Sequence, residues 1–358
     1  MNEILDLTDQ LASITMFGPI GIGKSFVALT LFHHNQTQVK FGRNRYFMRC
    51  GDITNSLEGF LECLSDAICT TRTTDVAQLR SHVQSSPPLL LLLDGVDFIL
   101  DPLATGAEDI SAIIEEFGSY NHVCLVTTSR MDPDIHGFHR VDVPTLCEDD
   151  ALDGFYGLCN LGRSPAVDEL IAGLDCHPLS IDLLANSVRE NGWDEEILLK
   201  AWVDDQGSAL QTNYYQTMKD TVEPSLRSPT IQDLGTAVRD ALEAIAVFPG
   251  GVRESALDRM FPGIVGVGKV VAVLCDFSLL YRKDGFVNML SPFRFYFLES
   301  MQTAVYTAGS DTACDHIDDE ATRSDATHDQ ATDGTPSVPC YPAKACPSFS
   351  FHLFGALE

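Results

Sequence analysis

The sequence predicts an α/β fold: a parallel sheet flanked by helices, followed by a small helical domain and a module of helices that ends in a hairpin. Three observations predict it. Short apolar runs at residues 13–17, 45–50, 89–93 and 123–128 alternate with amphipathic segments. After Pro144 that alternation stops and four short helical patterns follow one another. Further on, the run at residues 278–289 is interrupted by Lys283-Asp284-Gly285, a hairpin turn signature. Strands alternating with helices imply parallel pairing, with helices over both sheet faces.

Taken in order, residues 13–17 form a buried-strand candidate, and a helix opens after them at Lys24-Ser25. Residues 45–50 are a second strand candidate, followed by amphipathic segments at 57–68 and 76–83. The run at 89–93 is wholly apolar and is bounded by Pro88 and Asp94. Residues 110–117 read as helix, 123–128 as strand and 140–143 as a short fifth strand. The helical domain is expected from segments at 150–158, 167–174, 179–189 and 195–202, and the polar stretch 204–216 as a linker. A helix at 237–247, a break at Pro249-Gly250-Gly251, two more helices and the hairpin fit a winged-helix module. Beyond about Thr307 the chain turns to Asp, Thr, Ala and Ser, which predicts disorder until the final FSFHLFGAL. The expected divisions are residues 1–144, 145–204, 205–300 and 301–358.

Composition narrows the function. With 358 residues, 45% of them hydrophobic, the chain can bury a sizeable core. A formal net charge of -28 offers no broad basic face for phosphate backbones, so nucleic acid is not expected as a partner. No apolar stretch reaches 18 residues, so no membrane span is expected, and the N-terminus lacks the pattern of a secretory signal. The 11 cysteines include no C-x-x-C pair, and several lie in apolar surroundings. That usage predicts reduced, mostly buried thiols and a cytoplasmic location.

Gly18-Pro19-Ile20-Gly21-Ile22-Gly23-Lys24-Ser25 fits the phosphate-binding pattern G-x-x-x-x-G-K-[ST] in full. Glycines let backbone amides curl inward around phosphate oxygens without Cβ clashes. Lys24 supplies a charge at the β and γ oxygens, the Ser25 hydroxyl can ligate Mg²⁺, and the helix N-terminus, with Phe26 in its first turn, points at the phosphates. An apolar strand before the loop and FVALTLF after it supply the expected context. The motif implies ATP or ADP with Mg²⁺, on a P-loop NTPase sheet.

Three further residues join it. Asp94 ends the run LLLLL, where the crevice of a parallel sheet opens, and can hold Mg²⁺ opposite Ser25; a turn-forming Asp-Gly is the plainer alternative. Asp97 can orient or deprotonate the attacking water, or it can cap the segment starting at Phe98. Arg130 closes CLVTTSR and can reach the γ-phosphate, or it can pair on the surface with Asp132 or Asp134.

Together these residues resemble the STAND class of ATPases, the NB-ARC and NACHT modules of innate-immunity and programmed-death regulators. LLLLLDGVD looks like the NACHT style of Walker B motif, although Phe98 stands where that family usually adds an acid. CLVTTSR is similar to its sensor motif. Cys176-His177-Pro178-Leu179 looks like the family's G-L-P-L segment, which implies that Pro178 packs against adenine; Cys176 and His177 depart from the usual Gly-Leu. Without the resemblance Pro178 reads as a helix-start proline. Fungal members carry an M-L-S-P-[IF]-R segment in the winged helix, matched by Met289-Leu290-Ser291-Pro292-Phe293-Arg294. Plant and animal relatives place a Met-His-Asp triplet there, whose His touches the ADP β-phosphate. Leu290 occupies that position, and Arg294 is the cation nearby that can compensate.

The resemblance covers roughly residues 10–300 and implies a nucleotide-dependent switch. ADP would hold a closed state, ATP would favour an open state able to self-associate, and slow hydrolysis would reset it. A non-enzymatic remnant that binds nucleotide without turnover is the alternative. A metabolic kinase is disfavoured because no acceptor-site constellation stands out, and GTP because no N-K-x-D segment exists. The upstream ligand is not legible. The effector and repeat domains of full family members are not found, which is the expectation for a natural minimal form, a fragment or a mis-spliced gene model.

Overall fold

The computed structural model describes residues 1–53, 56–69, 73–131, 133–204 and 212–311. The chain divides into two compact units, Met1–Glu299 and Ser300–Glu358.

The first half alternates as the apolar pattern requires. Its elements are α1 (Asn2–Asp9), β1 (Ile14–Phe17), α2 (Lys24–His33), α3 (Asn35–Phe41), β2 (Arg45–Arg49), α4 (Leu57–Ile68), α5 (Val76–Ser85), β3 (Leu89–Asp94), α6 (Ala107–Gly118), β4 (Val123–Ser129) and β5 (His139–Asp142). Local chemistry sets several boundaries. The hydroxyl of Ser56 accepts from the Gly59 amide at 3.1 Å and caps α4, while Asp75 accepts from the Ala77 amide at 2.8 Å and caps α5. Each side chain satisfies one amide that the helix leaves without an acceptor.

All five strands are parallel, in the order β2-β3-β4-β1-β5. The five leucines of β3 are all buried because both faces of the sheet are covered. Leu89, Leu91 and Leu93 pack with Phe60, Leu64, Ile113 and Phe117 of α4 and α6; Leu90 and Leu92 pack on the other face with Ala28 and Leu31 of α2. Strand periodicity of two sends alternate residues to opposite sides, so an unbroken apolar run is what a doubly covered strand needs.

After β5 come α7 (Glu148–Leu158), α8 (Pro165–Ala172), α9 (Pro178–Asn191), α10 (Glu195–Asp204), α11 (Thr212–Leu226), α12 (Pro229–Gln232) and α13 (Ala237–Ala246). They are followed by β6 (Val252–Arg253), α14 (Leu257–Met260), α15 (Val267–Asp276), β7 (Tyr281–Lys283), β8 (Phe286–Asn288) and α16 (Ser291–Asp311). The hairpin turn falls on Asp284 and Gly285, both at positive φ (52° and 77°), and β6 adds a third antiparallel strand beside β8. One apolar cluster runs through these elements, from Phe155 and Leu184 to Leu242, Leu274 and Phe293, and it takes in Ile20 of the Gly-rich loop and Met131 beyond β4.

One expectation needs correction. The linker expected at 204–216 is helical from Thr212 onward, because α11 begins there; residues 205–211 lie outside the described set. The segments α1, α3, α11 and α12 were not expected at all. The expected disorder past Thr307 concerns residues that, from 312 on, are also outside the described set, while α16 runs to Asp311. Among the described residues no helix is long and apolar enough to cross a membrane.

Candidate functional site

Strand order brings the site together. Because β4 lies between β1 and β3, the loop after β1 and the acids after β3 flank the tip of β4. Thr128 is in register with Met16 on one side and with Asp94 on the other. All three tips point to the carboxyl edge of the sheet, the edge where α/β crevices open.

The Gly-rich loop joins β1 to α2. Gly23 is the N-cap of α2 at φ 101°, a backbone conformation that favours glycine, and no side chain caps the helix there. A Cβ at Gly23 would meet nothing within 4 Å, so the space beside this residue is open. Gly21, at φ 75°, is tightly walled: a Cβ there would come within 2.7 Å of Leu179 and 3.0 Å of His177. Pro19 and Phe26 are half-buried, Gly18, Ile20 and Ile22 buried. Uncapped first-turn amides, an open approach and a lysine together fit a phosphate group.

Lys24 is buried, and its ammonium donates to the carbonyls of Gly18 at 2.7 Å and Pro19 at 2.8 Å. Burial pushes its pKa from 10.5 down to about 8; the nearby carboxylates of Asp97 and Asp94 hold it up, and Arg130 pushes it further down. Exposed Ser25 donates to Asp94 Oδ1 at 2.7 Å, and Thr128 donates to the same oxygen at 2.7 Å. Thr128 also accepts from the Gly95 amide at 2.8 Å, which fixes the turn after β3. A serine hydroxyl and a carboxylate are hard oxygen donors of the kind that hold Mg²⁺ when phosphate oxygens complete its shell. Among the described residues no group of three His, Cys, Asp or Glu side chains forms an all-protein metal cage.

Asp97 and Arg130, expected to act separately on water and γ-phosphate, engage each other. Asp97 lies inside a 3-10 turn at Val96–Phe98, 3% exposed. Its Oδ1 accepts from the Arg130 amide at 3.1 Å, and its Oδ2 from Arg130 Nε at 2.6 Å and from a terminal guanidinium nitrogen. The guanidinium sits 4.3 Å from the ring centroid of Phe98 and donates to the hydroxyl of Ser225, while Ser278 donates to the Arg130 carbonyl at 2.7 Å. Arg130 is therefore buried against Asp97 and not on the surface; Asp132, one of its expected surface partners, lies outside the described residues.

The downstream helices also reach the loop. His177, fully buried, donates from Nε2 to the Ile20 carbonyl at 3.0 Å, which fixes its proton on that nitrogen; Ser180 lies 3.5 Å from Nδ1. Burial pushes the imidazole pKa from 6.5 to about 4, against the pull of the Ile20 bond. Half-buried Pro178 takes the first helical position of α9. Leu290 is buried in the apolar cluster, and Arg294 lies 4.6 Å over the ring of Phe295. Sequence reasoning missed Thr128, Ser225, Ser278 and the role of His177. Only His177 left a signal, as the residue that departs from the expected segment.

No family model matches the chain, and no curated protein does. Among solved structures the chain is similar to the Walker-type ATPase of Pyrococcus abyssi, with a TM-score of 0.58, 12% identity, and coverage of 83% of this chain and 94% of that one. A STAND protein with a tetratricopeptide repeat sensor from Pyrococcus horikoshii matches at TM-score 0.36 and 13% identity, over 87% of this chain and 44% of that one. The Orc1 protein of Aeropyrum pernix, solved in complex with DNA, matches at TM-score 0.41 and 12% identity, over 85% and 92%. The first of these likenesses, with the parallel sheet, shows a P-loop NTPase α/β fold.

Proposed function

We propose that this chain is a nucleotide switch of the STAND type: it binds ATP and ADP with Mg²⁺ at the loop of residues 18–25 and hydrolyses ATP slowly. The observation that carries this reading is the 2.7 Å bond between Ser25 and Asp94, 69 residues apart, beside the buried ammonium of Lys24. A loop that cradles phosphate and an acid that shares a metal with it need that juxtaposition. On this reading residues 1–144 bind the nucleotide, with Gly18, Pro19, Ile20, Gly21, Ile22, Gly23, Lys24, Ser25 and Phe26 around the phosphates and Pro178 against the base. Residues 145–204 form the helical domain and 205–300 the winged-helix domain. The ATP state self-associates, and nucleic acid has no part, given a net charge of -28. The reading is tested by titrating ATP and ADP calorimetrically, with Mg²⁺ and with EDTA. Expected is micromolar binding that Mg²⁺ strengthens for ATP; no heat with either nucleotide would overturn it.

A second reading, binding without turnover, draws on one observation: both oxygens of Asp97 are already taken by Arg130. A single-turnover measurement with excess protein separates the two readings, since a remnant leaves the ATP intact.

A further inference from the structure

Arg130 is anchored from three directions. Asp97, on the turn after β3, takes its amide and its guanidinium. Ser225, at the end of α11 and fully buried, accepts from its other terminal nitrogen. Ser278, beyond α15, donates to its carbonyl. Two of the three anchors come from the region downstream of the sheet, and none is a surface contact.

Two features mark this as more than packing. Ser278 holds φ 56°, in the left-handed region that a serine enters at a cost, and its hydroxyl makes the bond to Arg130. Four residues beyond Asp97, Asp101 is 1% exposed and takes the hydroxyls of Ser228 and Thr230, the latter at 2.7 Å. The turn after β3 thus holds residues 228–230 directly through Asp101, and Ser225 indirectly, through the Arg130 that Asp97 binds. On one side the grip is open: a cavity of about 400 Å³ is lined by Asp97, Phe98, Arg130, Pro224, Arg227 and Phe277. Arg130 can change position there without repacking a close-packed core.

The arrangement has a consequence for the reaction proposed above. A carboxylate that accepts three donors has little lone-pair capacity left to take a proton from water. The guanidinium gives its Nε and both terminal nitrogens to Asp97 and Ser225, which fixes its orientation toward them. The charges of both groups are felt by the Lys24 ammonium.

We propose that Ser225 is a positioning residue that holds Arg130 on Asp97 and so restrains ATP turnover until the segment around residues 225–230 moves away. The inference rests on the nucleotide reading. Its chemistry is balanced without any new reactant: water attacks the γ-phosphorus, the bond to the β-γ bridging oxygen breaks with its electron pair kept by ADP, and the water's proton passes to the freed carboxylate or to solvent.

The test compares wild type, Ser225→Ala and Ser225→Thr, each checked for folding by circular dichroism, for ATP affinity by calorimetry and for single-turnover hydrolysis. Losing a hydrogen bond to a charged group should raise the rate in Ser225→Ala about ten-fold at unchanged ATP affinity, while Ser225→Thr, which keeps the hydroxyl, matches wild type. A purely structural serine gives an equal or lower rate in Ser225→Ala, and that result overturns the proposal. Should Ser225→Ala not fold, Ser278→Ala decides by the same comparison, and an unchanged rate there overturns it. Absence of ATP binding in wild type overturns the nucleotide reading and the latch together, whereas binding with no rate difference overturns the latch alone.

Discussion

The imidazole of His177 donates to the carbonyl of Ile20, a bond of 3.0 Å between residues 157 apart in the chain. It ties the start of α9 to the tip of the Gly-rich loop, and Leu179 closes on Gly21 beside it. The loop is thus held from the side of the helices as well as by its own strand.

The burial of His177 makes acid stability measurable at one residue. The folded pKa of His177, about 4, lies below the ordinary 6.5, so the unfolded chain takes up this proton first as pH falls. The stability that neutral His177 contributes is present above pH 6.5 and is lost progressively down to pH 4. Between pH 7 and pH 5 the loss should be about 2 kcal/mol. Urea denaturation of His177→Leu is expected to show a pH dependence shallower by that amount; equal slopes would place the titration elsewhere.

The pKa of Lys24 is lowered in the same sense, and here the consequence extends to ligand binding. Its pKa of about 8 leaves the ammonium charged below pH 8 and discharging above it. Bound phosphates hold the proton on, so ADP affinity should fall about ten-fold per pH unit above pH 8. The unfolded lysine keeps its proton to 10.5, so this group's contribution to stability rises over the same interval. Calorimetric ADP titrations from pH 7 to 9.5 should show the fall in wild type and a flat, weak response in Lys24→Met.

Asp94→Asn should weaken ATP binding in Mg²⁺ by roughly ten- to hundred-fold and leave binding in EDTA nearly unchanged. The asparagine still accepts from Ser25 and Thr128 but no longer carries the charge that a divalent cation needs. Equal loss with and without Mg²⁺ would assign Asp94 to the turn alone.

Removing Asp97 exposes a different cost. Asp97→Ala leaves the Arg130 guanidinium buried without its counter-charge, which should cost about 3–5 kcal/mol of stability. Replacing both, as Asp97→Ala with Arg130→Met, should recover much of it. Thermal melts of the single and double variants measure the coupling, and additive losses would mean that the pair contributes nothing as a pair.

The strands and the loop were legible because their signals are local. A five-leucine run bounded by Pro88 and Asp94 is too short for a buried helix and fits a doubly covered strand, and the loop pattern fixes glycines, lysine and serine at set spacings. Helices such as α3 and α11 escaped because their sequences, NQTQVKF and TNYYQTMKDTVEPSL, are polar; α3 holds by burying Thr37 and Phe41, a tertiary effect. The pairing of Asp97 with Arg130 was illegible for another reason: it depends on β3 and β4 being neighbours, and nothing local in either segment announces that. Cys176 shows the same limit from the other side. It stands at φ 50° where the resembling segment carries glycine, and only the backbone explains why glycine suits the place.

The position of β4 carries a cost in mutability. Thr128 faces Asp94 and the α2 side, while Thr127 and Ser129 face the other. Deleting or inserting one residue within Val123–Ser129 would exchange those sets and move Arg130 by one place. Loops elsewhere can change length at small cost, but this strand works as a gauge between loop and acid. Its length is held fixed by the two partners it separates.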